Sequence, residues 1–229
     1  MIITIDGAIA TGKSTIAKKL ARSIGFIYFD TGAMYRCLTY GILKNKIDAE
    51  NAEQLSAFLE NFHFEIKIKH GERHYFVDGE DITDAIRGTA VTANVSRIAA
   101  MKPVREKLVL IQREFAKGVN AVFEGRDMGT IVFPDAEVKV YLTGKPEVRA
   151  LRRYEEFKAK YPEEYKDLTY EQTLEDINNR DRIDSTRDLS PLRQAEGACL
   201  IDTSDLQIDE IITRIQEFKD TRKTRFPAE

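Results

Sequence analysis

Apolar positions along the chain change period several times, and each change marks an element. The run Ile2-Ile3-Thr4-Ile5 is nearly continuous, which suits a strand buried on both faces. Ile16, Ala17, Leu20, Ala21 and Ile24 then recur at helical spacing and are closed by Gly25. Phe26-Ile27-Tyr28-Phe29 reads as a short buried second strand; the helix after it continues through Cys37, Leu38 and Leu43, with Asp30 or Thr31 as its cap. A helix over 52–62 carries Leu55, Phe58, Leu59 and Phe62 on one face. The period drops to two over 64–69, His70-Gly71-Glu72-Arg73 turns, and 75–79 returns as the partner strand of a small antiparallel insert. Helices over about 90–100 and 103–117 follow, with Pro103 at the first helical position. Strands over 119–124, 138–142 and 199–202 alternate with a helix opened by Pro146 and another opened by the capping box Thr169-Tyr170-Glu171-Gln172. A helix over 208–219 closes the chain, with fraying expected after Asp220.

Strands that alternate with helices predict an α/β fold with a five-stranded parallel sheet flanked by helices. The segment Gly7-Ala8-Ile9-Ala10-Thr11-Gly12-Lys13-Ser14, followed by Thr15, stands between the first strand and the first helix. It fits Gly, four residues, Gly-Lys-Ser/Thr. Glycines let backbone N–H groups turn inward on phosphate oxygens, and the helix N-terminus adds its positive end. Lys13 then reaches the β- and γ-phosphates, and the Ser14 hydroxyl ligates Mg²⁺. The pattern alone is loose, but its strand-then-helix context selects the phosphate loop of a P-loop NTPase-type sheet.

Other candidates gather around that loop. A helix beginning at Thr31 points its N-terminus at the ligand crevice of a doubly wound sheet, so Thr31 and Arg36 are placed for a second anion; a cap and a solvated arginine are the plain alternative. Asn45-Lys46-Ile47-Asp48 matches a guanine-reading pattern, but it follows the second helix rather than a late strand, and it reads as a helix end and loop. His70 and His74 lack companions at ligand spacing and read as hairpin histidines. Glu124 ends the third core strand and leads into Gly125-Arg126-Asp127-Met128-Gly129-Thr130, where an acid suits a Mg²⁺ hydration shell. Arg149, Arg152 and Arg153 read as a solvated charged face. Arg180, Asp184 and Arg187 stand at i, i+4 and i+7, so a carboxylate lies between two guanidiniums, either as a structural ladder or as part of a site.

Composition narrows the setting. The 229 residues, 42% of them hydrophobic, suffice for one α/β unit with insertions. A net charge of -3 from 35 basic and 38 acidic side chains offers no global field for nucleic acid or anionic membrane. Two distant cysteines, Cys37 and Cys199, read as small core residues in a reducing compartment. No stretch approaches a membrane span, and the chain enters a strand at once, so a cytoplasmic protein is expected.

Together these residues make the chain resemble the bacterial cytidylate kinases, of the P-loop nucleoside monophosphate kinase family, over nearly its whole length. The resemblance is carried by residues 7–15, 30–36, 78–82, 94–100, 104–106, 125–136 and 180–192. It implies an ATP-dependent kinase of CMP and dCMP, using Mg²⁺ and acting as a monomer. By that resemblance Thr31, Arg36, Arg126 and Arg187 hold the acceptor phosphate, while Ser96, Arg105 and Asp127 face cytosine. Arg180 and Asp184 contact ribose or the transferring phosphate, and Lys13, Arg126, Arg180 and Arg187 are the catalytic set. The insert, about 63–100, becomes a monophosphate-binding domain, and about 144–190 a helical lid on a core of about 1–62, 101–143 and 191–229. Glu124 stands where the family commonly has Asp, and Thr31 replaces a frequent serine. A kinase of another small acceptor and a nucleotide-dependent switch are the rivals; the absence of an Asp-x-x-Gly segment and the abundance of arginines disfavour the switch.

Overall fold

The computed structural model describes residues 1–70 and 72–223. In chain order the elements are β1 (Ile2–Gly7), α1 (Lys13–Ile24), β2 (Ile27–Asp30), α2 (Thr31–Lys44), α3 (Ala52–Asn61), β3 (Glu65–Lys69), β4 (Glu72–Val77) and β5 (Glu80–Asp81). A 3₁₀ turn, Ala85–Arg87, precedes α4 (Thr89–Ala100), α5 (Lys102–Phe115) and β6 (Ala121–Gly125). A π-helical turn, Met128–Val132, then leads to β7 (Val138–Thr143), α6 (Pro146–Lys160), α7 (Tyr170–Thr186), β8 (Cys199–Asp202) and α8 (Ile208–Lys223).

The five-stranded parallel sheet runs β2-β6-β1-β7-β8. Central β1 is buried on both faces, which explains its unbroken apolar run. Its register sets Ile5 beside Glu124 and Val140, and Asp6 beside Gly125 and Tyr141, so the carboxyl ends of three strands line up. Ile3, Ile5, Val140 and Leu142 share a core with Ile16, Leu20 and Ile215 from α1 and α8. Each such side chain contributes roughly 1.5–3 kcal/mol by leaving water. β2 is an edge strand, with Tyr28 and Phe29 buried but Ile27 44% exposed and Phe26, just before it, half-buried, so the expected buried run holds only at its last two residues.

Contacts divide the described chain into two compact units, residues 1–29 with 116 onward, and residues 30–115. The second unit is wider than the 63–100 insert alone, because α2 packs on α4 and β4, and α3 packs on α5. Its antiparallel sheet has a third short strand, β5, beyond the expected hairpin. The tetrad expected to turn is tighter than drawn, since β4 already begins at Glu72 and His70 takes φ 51°; Gly71 lies outside the described residues.

Helix ends follow local chemistry. Asp30, not Thr31, caps α2 by accepting from Ala33 N at 2.9 Å, and the Thr169–Gln172 capping box is formed on α7. Pro103 is the second residue of α5 rather than the first, and that helix stops at Phe115, two residues short of expectation. Asn45 is the C-cap of α2 and Lys46 has φ 53°, so the guanine-like tetrapeptide is a helix end. Cys37 is fully buried, whereas Cys199 is only half-buried. α8 continues past Asp220 to Lys223, and residues 224–229 lie outside the described residues. Among the described residues no helix is long and apolar enough to cross a membrane.

Candidate active site

Residues 7–14 take the shape their types require. Gly7 passes so close to β7 that a Cβ would sit 2.3 Å from the Leu142 carbonyl oxygen, and Gly12 caps α1 from the left-handed region at φ 83°. Ala10 shares that region at φ 58°, so the loop winds tightly over the helix N-terminus. Ser14 and Thr15 are exposed in the first turn of α1, where N–H groups lack intrahelical partners. Lys13 folds back instead, 6% exposed, and its Nζ donates to the Ala8 carbonyl at 2.6 Å.

Burial lowers the Lys13 ammonium to about 7, with the Arg126 charge adding to the effect against Glu124, Asp184 and Asp6. Asp6 moves the other way: burial raises its carboxyl to about 7, opposed by hydrogen bonds from Gly129 N and Met128 N. Glu124, 4% exposed, accepts from the Tyr28 hydroxyl at 2.8 Å through Oε1. Asp127 is buried at the start of the π-helical turn.

The expected ladder on α7 has a third arginine. Arg126 Nε donates to Asp184 Oδ2 at 2.9 Å, while Arg180 Nε lies 3.7 Å from the same oxygen and Arg187 Nη1 lies 3.9 Å from Oδ1. Burial alone would raise the Asp184 carboxyl, but Arg126 and then Arg180 outweigh it and hold it below the usual carboxylate range. Arg187 is the C-cap of α7 and donates through Nε to Ser190 O at 2.7 Å. Lys13, Arg126, Asp127, Arg180, Asp184 and Arg187 thus belong to one compact unit, in which the charges of Arg126, Asp184 and Asp6 act on Lys13 and that of Asp127 acts on Asp6.

Thr31, Arg36, Ser96 and Arg105 belong to the other unit. Thr31 is buried in the first turn of α2. Arg36 Nη1 donates to Ile86 O and Thr92 Oγ1, each at 2.9 Å. Arg105, 4% exposed, donates to Ala99 O at 3.0 Å and lies 5.4 Å from the Tyr35 ring centre; Ser96 is half-buried on α4.

Two readings from the sequence need correction or addition. Arg149 is no part of a solvated face: it is 3% exposed and donates to Gly144 O at 2.9 Å, to Ile9 O at 3.1 Å, and through both terminal nitrogens to Asp181 at 3.2 and 2.5 Å. Arg152 likewise turns inward to Thr203 O at 2.7 Å, and only Arg153 keeps to its own helix, 2.9 Å from Glu156. A helical charge count cannot reveal this, because the partners lie on a loop and a helix far away in sequence. Asp6 was also missed, although a charged residue closing an apolar strand run was its signal. Among the described residues no three acids, histidines or cysteines assemble as a metal cage; Mg²⁺ does not demand one, since it keeps waters and leans on substrate phosphates. An exposed Ser14 hydroxyl at the loop and a nearby buried acid fit that mode.

A glycine-bounded loop at the end of the central strand, with a lysine turned under it and guanidiniums gathered by one acid, supplies positioning and charge neutralisation for phosphoryl groups, which is the construction of a P-loop kinase. The fold is similar to that of a shikimate kinase from Bacteroides thetaiotaomicron, which superposes with a TM-score of 0.50 at 15% identity, covering 96% of this chain and 98% of its own. The chain belongs to the cytidylate kinase family, whose profile matches residues 3–220. A cytidylate kinase from Protochlamydia amoebophila is 63% identical over 228 residues, all of both chains. Another, from Caldanaerobacter subterraneus subsp. tengcongensis, is 46% identical over 215 residues, 94% of this chain and 92% of its own.

Proposed function

We infer that the chain transfers the γ-phosphoryl group of ATP to the 5′-phosphate of CMP or dCMP, giving ADP and CDP or dCDP. The observation that carries this reading is the cluster of Lys13 under the phosphate loop with Arg126, Arg180 and Arg187 collected on Asp184, in a chain of the cytidylate kinase family. An acceptor phosphate oxygen attacks the γ-phosphorus in line, the bond to the β,γ-bridging oxygen breaks, and ADP leaves. Backbone amides of residues 7–15 hold the donor phosphates, and Lys13 follows the charge that moves toward the bridging oxygen. Mg²⁺, held by Ser14 Oγ and phosphate oxygens, with Glu124 toward its hydration shell, would neutralise the β- and γ-oxygens.

Thr31, Arg36, Arg126 and Arg187 are assigned to the acceptor phosphate, Arg180 and Asp184 to ribose or the transferring group. Ser96, Arg105 and Asp127 are assigned to cytosine. An ionised Asp127 only accepts, so it suits the N4 amino group and opposes the O4 lone pairs of uracil, while Arg105 donates toward N3 or O2. The segment 30–115 serves as the monophosphate-binding part and α6 with α7 as a lid that excludes water. A monomer is the working unit of this reading, and the two free cysteines, Cys37 and Cys199, suit a reducing compartment such as the cytoplasm.

The test is ADP release with CMP, dCMP, UMP and AMP. CMP and dCMP should exceed UMP in kcat/KM by on the order of a hundredfold, and Asp127→Asn should shrink that ratio while lowering CMP turnover. Equal use of UMP by the parent would overturn the acceptor assignment; an unchanged ratio in the variant would remove Asp127 from base reading.

A further inference from the structure

We propose that Asp6 is a positioning residue for acceptor selectivity, acting by clamping the backbone that carries Arg126 and Asp127. Its carboxylate spans two consecutive amides: Oδ1 accepts from Met128 N and Oδ2 from Gly129 N, each at 2.8 Å. The amides lie 122 and 123 residues away in sequence and open the π-helical turn, where N–H groups have no partner within the turn itself.

An aspartate immediately before a helical turn ordinarily caps it. Asp127 occupies that place, with φ -142°, and its side chain does not cap the turn. Asp6 takes over the duty from the neighbouring strand, so the backbone immediately after Asp127 is held from β1 rather than by a cap from the Asp127 side chain. Strand register supports the clamp, because Asp6 stands beside Gly125, one residue before Arg126. The approach is close as well: a Cβ on Gly129 would lie 3.0 Å from Thr4 Oγ1, 3.1 Å from the Ala195 Cβ and 3.4 Å from Asp6 Oδ2. A carboxylate 3% exposed is an expensive way to hold a loop unless both acceptors are needed, and two adjacent donors need both. Asparagine offers one acceptor and one donor, so it opposes N–H to N–H at one of the two amides.

The inference rests on Asp127 facing the acceptor base, and the experiment separates the two. Native enzyme, Asp6→Asn and Asp127→Asn are compared for kcat/KM on CMP and on UMP, and for hydrogen exchange at the Met128 and Gly129 amides. Asp6→Asn should lower the CMP/UMP ratio about tenfold or more, with KM for CMP rising more than kcat falls, and both amides should exchange at least about tenfold faster than in the parent. Loss of fold or an altered Lys13 charge would scale both nucleotides alike and leave the ratio in place. A ratio unchanged in Asp6→Asn but collapsed in Asp127→Asn overturns the positioning role. If Asp127→Asn itself leaves the ratio intact, base reading by Asp127 fails, and the clamp stands or falls on the exchange of the two amides. Should Asp6→Asn not fold, Gly129→Ala lifts the same amide from the carboxylate and must give the same fall in ratio, failing which the proposal is wrong.

Discussion

ATP binding should draw a proton onto the enzyme, and Lys13 sets the amount. With its ammonium brought down to about 7 by burial and Arg126, the nucleotide-free enzyme at pH 8 holds the charged lysine in only about one molecule in eleven. Phosphates at the loop restore the charge, so binding takes up about 0.9 proton at pH 8 and about 0.1 at pH 6. Each pH unit above 7 then costs about 1.4 kcal/mol of binding, or about tenfold in Kd. The nucleotide has little to release at pH 8, because phosphate groups titrate near 6. Titration calorimetry in buffers of different ionisation heat reads the proton count directly. Uptake below about 0.2 proton at pH 8, or equal uptake by Lys13→Ala, would refute the reasoning.

Two further outcomes follow from the arginine cluster. Arg187→Lys should lose nearly as much kcat/KM as Arg187→Ala, about tenfold or more, because an ammonium cannot hold Ser190 O and phosphate oxygens in one planar fork; near-normal turnover for lysine with a lowered melting point for alanine would make the residue structural. Asp184→Ala should destabilise the nucleotide-free enzyme by about 2 kcal/mol, below the usual figure for a broken buried pair because Arg126 and Arg180 are partly exposed. Since the folded carboxyl titrates below its unfolded value, that stabilisation is complete above the unfolded value of about 3.9 and is lost as pH falls through the folded one. Denaturant melts of parent and variant should therefore converge at low pH, and a constant gap there would contradict the assignment.

Most of the architecture could be read from the chain because its causes are local: the double-sided burial of β1 shows as an unbroken apolar run, α1 and α3 announce their apolar faces, and α7 announces its capping box within a few residues. The phosphate loop was equally plain, as was the i, i+4, i+7 set on α7. What remained hidden depends on contacts across long sequence separations. Arg126 completes the Asp184 cluster from 58 residues away, and nothing in helical spacing announces it. Arg149 was misread for the same reason, its partners being Ile9 and Asp181. No local pattern announces the π-helical turn after Asp127, because the acceptor that holds its first amides is Asp6 on β1.

The bonds of Arg149 bear on how this chain can change over generations. Asp181 cannot be replaced alone without leaving a guanidinium buried, and Arg149 cannot be replaced alone without stranding a half-buried carboxylate and the carbonyls of Gly144 and Ile9. Many buried ion pairs drift through a double replacement by apolar residues, but that route leaves two backbone acceptors in need of a donor. The residues at 149 and 181 are therefore tied by epistasis: a second change compensates a first only if it supplies both the charge balance and donors that reach the phosphate loop and the end of β7.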